Sequence, residues 1–138
     1  MMFDGINIAA SGLTAESLRL DVVANNLANA DTTVTPRGGP YRREFVVLQS
    51  LPAPATGPDQ GIGQGVMVAG IYQDPSPFQV VYDPTSPQAD AAGNVLYPNV
   101  HLPVEMVDMI EASQAYQANV TAFNAAKTMD TKALTLGA

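Results

Sequence analysis

The chain of 138 residues contains no cysteine, which excludes disulfides, thiolate metal ligands and a cysteine nucleophile and leaves its redox compartment open. It has a single histidine, His101. Zinc binding or acid–base work needs convergent ligands or a placed partner, so this side chain reads as a loop residue at the entrance to a helix. Charge is sparse: 14% of residues are Asp, Glu, Lys or Arg against about 25% in ordinary soluble domains, while 46% are hydrophobic. Bases are the scarcer sign, six against thirteen acids, and the net charge of −7 argues against nucleic acid as a partner, because such binding rests on Lys and Arg neutralising phosphates. No run approaches the roughly 20 apolar residues of a membrane-spanning helix. Asp4, Asn7 and Ser11 interrupt the first stretch, and no basic region precedes it, so no cleaved signal peptide is expected. A surface with so little charge expects other protein around it.

Helix breakers are nearly missing from both ends. All eleven prolines lie between Pro36 and Pro103. From Phe3 to Asp31 the positions Phe3, Ile6, Ala10, Leu13, Ser17, Leu20, Ala24 and Leu27 step by three and four, the period at which one side of a helix meets a partner helix. Leu18, Val22 and Val23 widen the apolar arc, so this helix needs neighbours on more than one side. Gly5 and Gly12 each cost about 1 kcal/mol relative to alanine, which makes the first turns marginal in isolation. Asn25, Asn26 and Asn29 mark the helix end, either as an ordinary C-terminal cap or as amides bridging to the second helix or to another subunit.

The middle of the chain is strands and turns. Tyr41–Gln49, Val66–Tyr72, Phe78–Tyr82 and Val95–Val100 have strand composition, and residues 73–77 have the length and types of a hairpin loop between the second and third of these. A minimal three- or four-strand antiparallel unit follows, with a small core drawn from Val46, Leu48, Val66, Val68, Ile71, Phe78, Val80 and Tyr82. Arg42 and Arg43, with Arg37, hold half of the basic charge, and they mark either a grip on an acidic neighbour or a solvated strand edge.

A second helix is expected from about Pro103, a residue suited to a first turn, to Leu136. Glu105, Asp108 and Glu111 favour the positive end of its dipole. Its apolar residues form two adjoining seams. One is large (Met106, Met109, Ser113, Tyr116, Val120, Phe123) and is expected to cover Leu13, Leu20 and Leu27; the other is mostly alanine and runs through Ala112, Ala115, Asn119, Ala122, Ala126, Met129, Ala133 and Leu136. With no third helix in the chain, the extra face points to other subunits.

Catalytic patterns are wanting. Gly61, Gly63 and Gly65 lack the spacing, the Lys-Ser or Lys-Thr and the following helix of a phosphate loop. Asp74, Asp83 and Asp90 do not alternate as calcium ligands do. Ser11-Gly12 sits in a helical pattern and not at a strand-to-helix elbow. No enzyme, cofactor, metal or small-molecule substrate is expected.

Ser11-Gly12-Leu13-Thr14-Ala15 and Asn25-Asn26-Leu27-Ala28-Asn29-Ala30-Asp31-Thr32 closely resemble the N-terminal signature of the bacterial flagellar rod, hook and hook-associated proteins. Within that family, Gly38-Gly39-Pro40-Tyr41-Arg42-Arg43, Gly65–Ile71 with Asp74-Pro75-Ser76-Pro77-Phe78, Tyr97-Pro98-Asn99-Val100 and Glu105–Ile110 are similar to a proximal-rod subunit. The resemblance covers essentially the whole chain. It implies an α+β fold in which residues 1–31 and 103–138 pair as an antiparallel coiled-coil-like inner domain, and residues 32–102 form a small β-hairpin-rich middle. It implies a structural subunit that polymerises with copies of itself and other rod proteins into a hollow, torque-transmitting shaft and export channel in the periplasm. A junction protein of export gate or membrane ring is a further implied neighbour, and a low-copy adaptor at that junction is the alternative role. Assembly and helix-packing positions are then Ile6, Leu13, Leu20, Ala24, Asn26, Leu27 and Asn29 on the first helix. On the second they are Met106, Met109, Ile110, Tyr116, Asn119, Val120, Phe123, Ala126 and Met129.

Overall fold

The computed structural model describes residues 4–56 and 63–137; Phe3 and Gly61, both singled out above, lie outside the described residues. Two long helices, α1 (Asp4–Ala28) and α2 (Leu102–Leu136), flank four short strands, β1 (Glu44–Ser50), β2 (Val66–Gln73), β3 (Gln79–Tyr82) and β4 (Asn94–Tyr97). Each helix carries an acid in its first turn, Asp4 and Glu105, and α2 also places Pro103 there. Both features suit a helix start.

The helices run antiparallel along each other. Gly5 stands opposite Ala126 and Gly12 opposite Asn119. Further along, Arg19 reaches Glu111 and Asn26 reaches Glu105. A Cβ added at Gly5 would lie 3.4 Å from the Ala126 Cβ, and one at Gly12 would lie 2.8 Å from the Asn119 amide. The backbones approach closely because these positions are small.

The contact face of α1 is therefore shifted one residue from the expected heptad. Ala9, Gly12, Ala15, Glu16, Val22, Val23 and Asn26 are buried, whereas Leu13, Leu20 and Leu27 are half-buried at the flank. The partner face on α2 is the alanine seam, with Ala112 fully buried. The large seam covers the α1 leucines only in part: Met109, Val120 and Phe123 are half-buried and Tyr116 lines a hollow with Leu13, whereas Met106 is 52% exposed. Small side chains win the inner face because close approach brings more atoms within van der Waals range along the whole length.

All four expected strands exist, but they pair differently. β1 pairs with β2 from Glu44↔Gln73 to Ser50↔Val66, with an irregularity between Val47 and Leu48 that leaves Ala69 unopposed. β3 pairs with β4 from Gln79↔Tyr97 to Tyr82↔Asn94. The expected β2–β3 hairpin is absent, and two separate two-stranded ladders replace the single antiparallel unit. The segment between β2 and β3 is held open from outside. Arg42 donates to the carbonyls of Asp74 and Ser76 at 2.8 and 3.0 Å, and Asn99 donates to the same two oxygens at 3.1 Å each. Arg42 also stacks over Phe78 at 4.2 Å.

The expected core of the middle is only partly closed. Val46, Leu48, Val66, Val68 and Phe78 are half-buried, but Ile71, Val80 (62%) and Tyr82 (71%) are exposed. β1 and β2 lie against α1, so their inward residues complete the helical layer and do not build a second core. Two of the aspartates weighed as calcium ligands serve their own turns: Asp83 accepts from Thr85 and Asp90 from Ala92 and Asn94.

Gly12→Ala forces the Asn119 amide aside and is expected to destabilise the chain by about 1–3 kcal/mol. Adding Asn119→Ala should recover most of that loss. A urea-unfolding double-mutant cycle checks it; additive effects would mean that the two positions do not touch.

Candidate functional site

The end of α1, the start of β1, the turn after β2 and the first turns of α2 converge on a polar junction. Asn26 and Glu105 are its centre, both 0% exposed. The Asn26 Nδ2 donates to Glu105 Oε2 (3.0 Å) and to the Glu44 carbonyl (2.7 Å), while its Oδ1 accepts from the Glu44 N–H (3.0 Å) and the Tyr41 hydroxyl (2.8 Å). Every donor and lone pair of that amide is filled, as burial requires. In gripping both backbone groups of Glu44, Asn26 stands in for a neighbouring strand and fixes where β1 begins.

Asn99 links the residue before β1 to the turn after β2 from the other side. Its Oδ1 accepts from the Arg43 N–H at 2.7 Å, and its Nδ2 holds the turn at Asp74 and Ser76. Between the two amides lies the Arg43 side chain, which donates through Nε to Glu105 Oε1, through Nη2 to Asp108 Oδ2 (3.0 Å) and through Nη1 to Asp74 Oδ2 (3.4 Å). One guanidinium thus ties α2 to the turn after β2.

Burial opposes the charge on Arg43, but the hydrogen bond and charge of Glu105, then the charges of Asp108 and Asp74, outweigh it and raise its pKa above the ordinary arginine value. Asp74 is held below the usual carboxylate range first by hydrogen bonds from the Ser76 hydroxyl and N–H and then by Arg43. Tyr41 is pushed up to about 12, mainly by burial and then by Glu44. The junction is a set of fixed ion pairs and a neutral phenol. Among the described residues no group of three or more His, Cys, Asp or Glu is arranged to hold a metal ion.

The two readings of the helix-end asparagines divide between residues. Asn29 caps locally, its amide donating to the Asn25 carbonyl at 2.9 Å, whereas Asn26 bridges to α2. Arg42 and Arg43 meet acids and carbonyls of their own chain. On α1, Ile6, Leu13, Leu20 and Leu27 are half-buried and Ala24 is exposed; on α2, Met109, Asn119, Val120, Phe123 and Ala126 are half-buried while Met106, Ile110, Tyr116 and Met129 are exposed. Sequence reasoning missed Tyr41, Asp74 and Asn99, and read Glu105 and Asp108 only as helix-dipole acids. Their three-residue spacing, which sets both on one side of α2, was the available signal.

His101 stands at the N-cap of α2 without capping it, its Nδ1 3.2 Å from Gln79 Nε2. Among the described residues no helix is long and apolar enough to cross a membrane.

Two family models match the chain: one described as flagella basal body rod protein over residues 6–34, the other as flagellar basal body rod FlgEFG protein C-terminal over residues 91–136. The chain is 47% identical over a 151-residue alignment to the flagellar basal-body rod protein FlgC of Borreliella burgdorferi, covering 98% of this chain and 97% of that one. It is 46% identical to the FlgC of Bacillus subtilis, with 98% and 97% covered, and 49% identical to that of Yersinia enterocolitica, with 95% and 94% covered.

Arg43→Ala leaves the Glu105 carboxylate buried without a counter-charge and is expected to cost about 3–5 kcal/mol in urea unfolding. A loss under about 1 kcal/mol would show that the pair is solvated. Because the folded-state pKa of Tyr41 lies above its ordinary value of 10.0, its stabilising effect is complete below pH 10 and disappears as the pH rises towards about 12. Ultraviolet titration should show a tyrosine step near pH 12 that Tyr41→Phe removes.

Proposed function

Because the chain belongs to the FlgC family of flagellar basal-body rod proteins, we propose how its two-faced helix pair builds a rod. The chain is a structural subunit of the proximal rod and not an enzyme. It polymerises with other rod proteins into the shaft of the basal body, in the periplasm. Residues 1–31 and 103–138 are the inner, shaft-forming unit, and residues 32–102 are a strut laid against it. The paired helices act as a coiled-coil-like unit: opposed positions Gly5, Gly12 and Asn26 on α1 and Ala126, Asn119 and Glu105 on α2 recur in whole heptads.

The observation that carries this reading is the outward face of α2. Leu102, Val104, Met106, Val107 and Ile110 are all about half exposed within the first three turns of one helix. An exposed apolar face of that kind marks a contact with another protein. In a rod the face is covered by adjacent subunits, together with the flanking residues Leu13, Leu20 and Leu27 of α1. Burial of apolar surface contributes about 25 cal/mol per Å², so several such neighbours hold a subunit whose isolated stability is small. Twisting the shaft would separate many of these contacts at once, which is how packing transmits torque. At the cell-proximal end of the rod, the partners are a junction protein of the export gate or the membrane ring.

Ile110→Asp tests the assembly role on an exposed position. It should leave the urea midpoint of the isolated chain nearly unchanged, because surface substitutions are usually within about 0.5 kcal/mol. In cells lacking the native protein it should abolish swimming and leave basal bodies without a complete rod by electron microscopy. Normal rods with Ile110→Asp would place the assembly surface elsewhere.

A further inference from the structure

Adjacent residues of α1 face two different partners. The missing Cβ of Gly12 admits Asn119 of α2, and Ser11 meets the base of the β1–β2 ladder. The Ser11 hydroxyl donates to the Ile8 carbonyl at 2.7 Å and accepts from the Val66 N–H at 3.1 Å. The second bond has no substitute within the ladder. Gly65 makes the ladder bond there, its carbonyl accepting from the Leu51 N–H at 2.9 Å, so in an antiparallel pair the Val66 N–H points away from β1. Gly65 itself has φ +107, and a Cβ on it would overlap Ser11 Oγ and lie 3.3 Å from Ser11 Cβ. The hydroxyl and the glycine fit one another: the backbone passes against α1 because residue 65 has no side chain, and the hydroxyl caps the Val66 N–H beside it.

We infer that Ser11 is a positioning residue that docks the start of β2 on α1, a second attachment of the middle region at the end remote from the Arg43 junction. Two attachments at opposite ends of β1–β2 fix the direction of the ladder along α1, where one would leave it free to swing. That gives the strut its set angle to the shaft, a consequence that rests on the rod reading.

Hydrogen exchange followed by mass spectrometry on the full chain in solution tests the docking itself. With Ser11→Ala, peptides covering residues 64–72 should exchange about tenfold faster, the loss of one hydrogen bond, while peptides from 102–136 are unchanged. Ser11→Thr keeps the hydroxyl and should restore the protection of 64–72. The inference is overturned by unchanged exchange at 64–72, by a segment already unprotected in the unmutated chain, by an equal rise in 102–136, or by equal loss in Ser11→Thr. Exchange is read without any rod, so its failure is separate from a failure of Ile110→Asp to block assembly.

Discussion

The structure depends on one buried ion pair, Arg43 with Glu105. A carboxylate removed from water is tolerated only if its oxygens are paired, and here Arg43 takes one oxygen of Glu105 and Asn26 the other. Such a pair contributes little net stability compared with apolar residues of the same volume, and its value lies in what it forbids. Any arrangement of the two helices and the first strand other than the observed one strands a charge. The pair joins residues 62 apart in sequence, and the surrounding amides recruit Tyr41, Asp74 and Asn99 into the same constraint. Register is the weak point of a seam built from glycine and alanine, because small residues allow sliding. The junction supplies the specificity that the seam lacks.

That division of labour explains why several large apolar residues of α2 are left outside. The inner contact between α1 and α2 uses close approach at Gly5, Gly12, Ala112 and Ala126, and it needs no bulky side chain. Met106, Ile110 and their neighbours are then available for contact with other subunits. This arrangement leaves a thin core between the two helices.

The two terminal helices were legible from periodicity and from the confinement of proline, with ends correct to within a few residues. The choice of face was not. Positions stepping by three and four can be read from any of several starting points, and Leu13 and Leu20 made one start more conspicuous than Gly12, whose role depends on having no side chain. Strand composition located β1 to β4, but pairing escaped because it is imposed from outside: Arg42 and Asn99 seize the carbonyls of Asp74 and Ser76 and open what would otherwise be a hairpin loop. Three asparagines near the end of α1 pointed equally to a C-terminal cap and to bridging amides, and the structure uses both, Asn29 for the first and Asn26 for the second. Their targets were invisible, since Glu105 on a first turn has the same sequence signature whether it serves the helix dipole or a buried arginine.

Glu105 and Met106 are consecutive residues, one wholly enclosed and the other 52% exposed. On a helix they are separated by about 100° of rotation. Rolling α2 about its axis by a single residue would pull the carboxylate off its arginine and turn the methionine inward. The charge therefore works as an index mark on a cylinder, and the exposed greasy side of α2 is presented at one angle only.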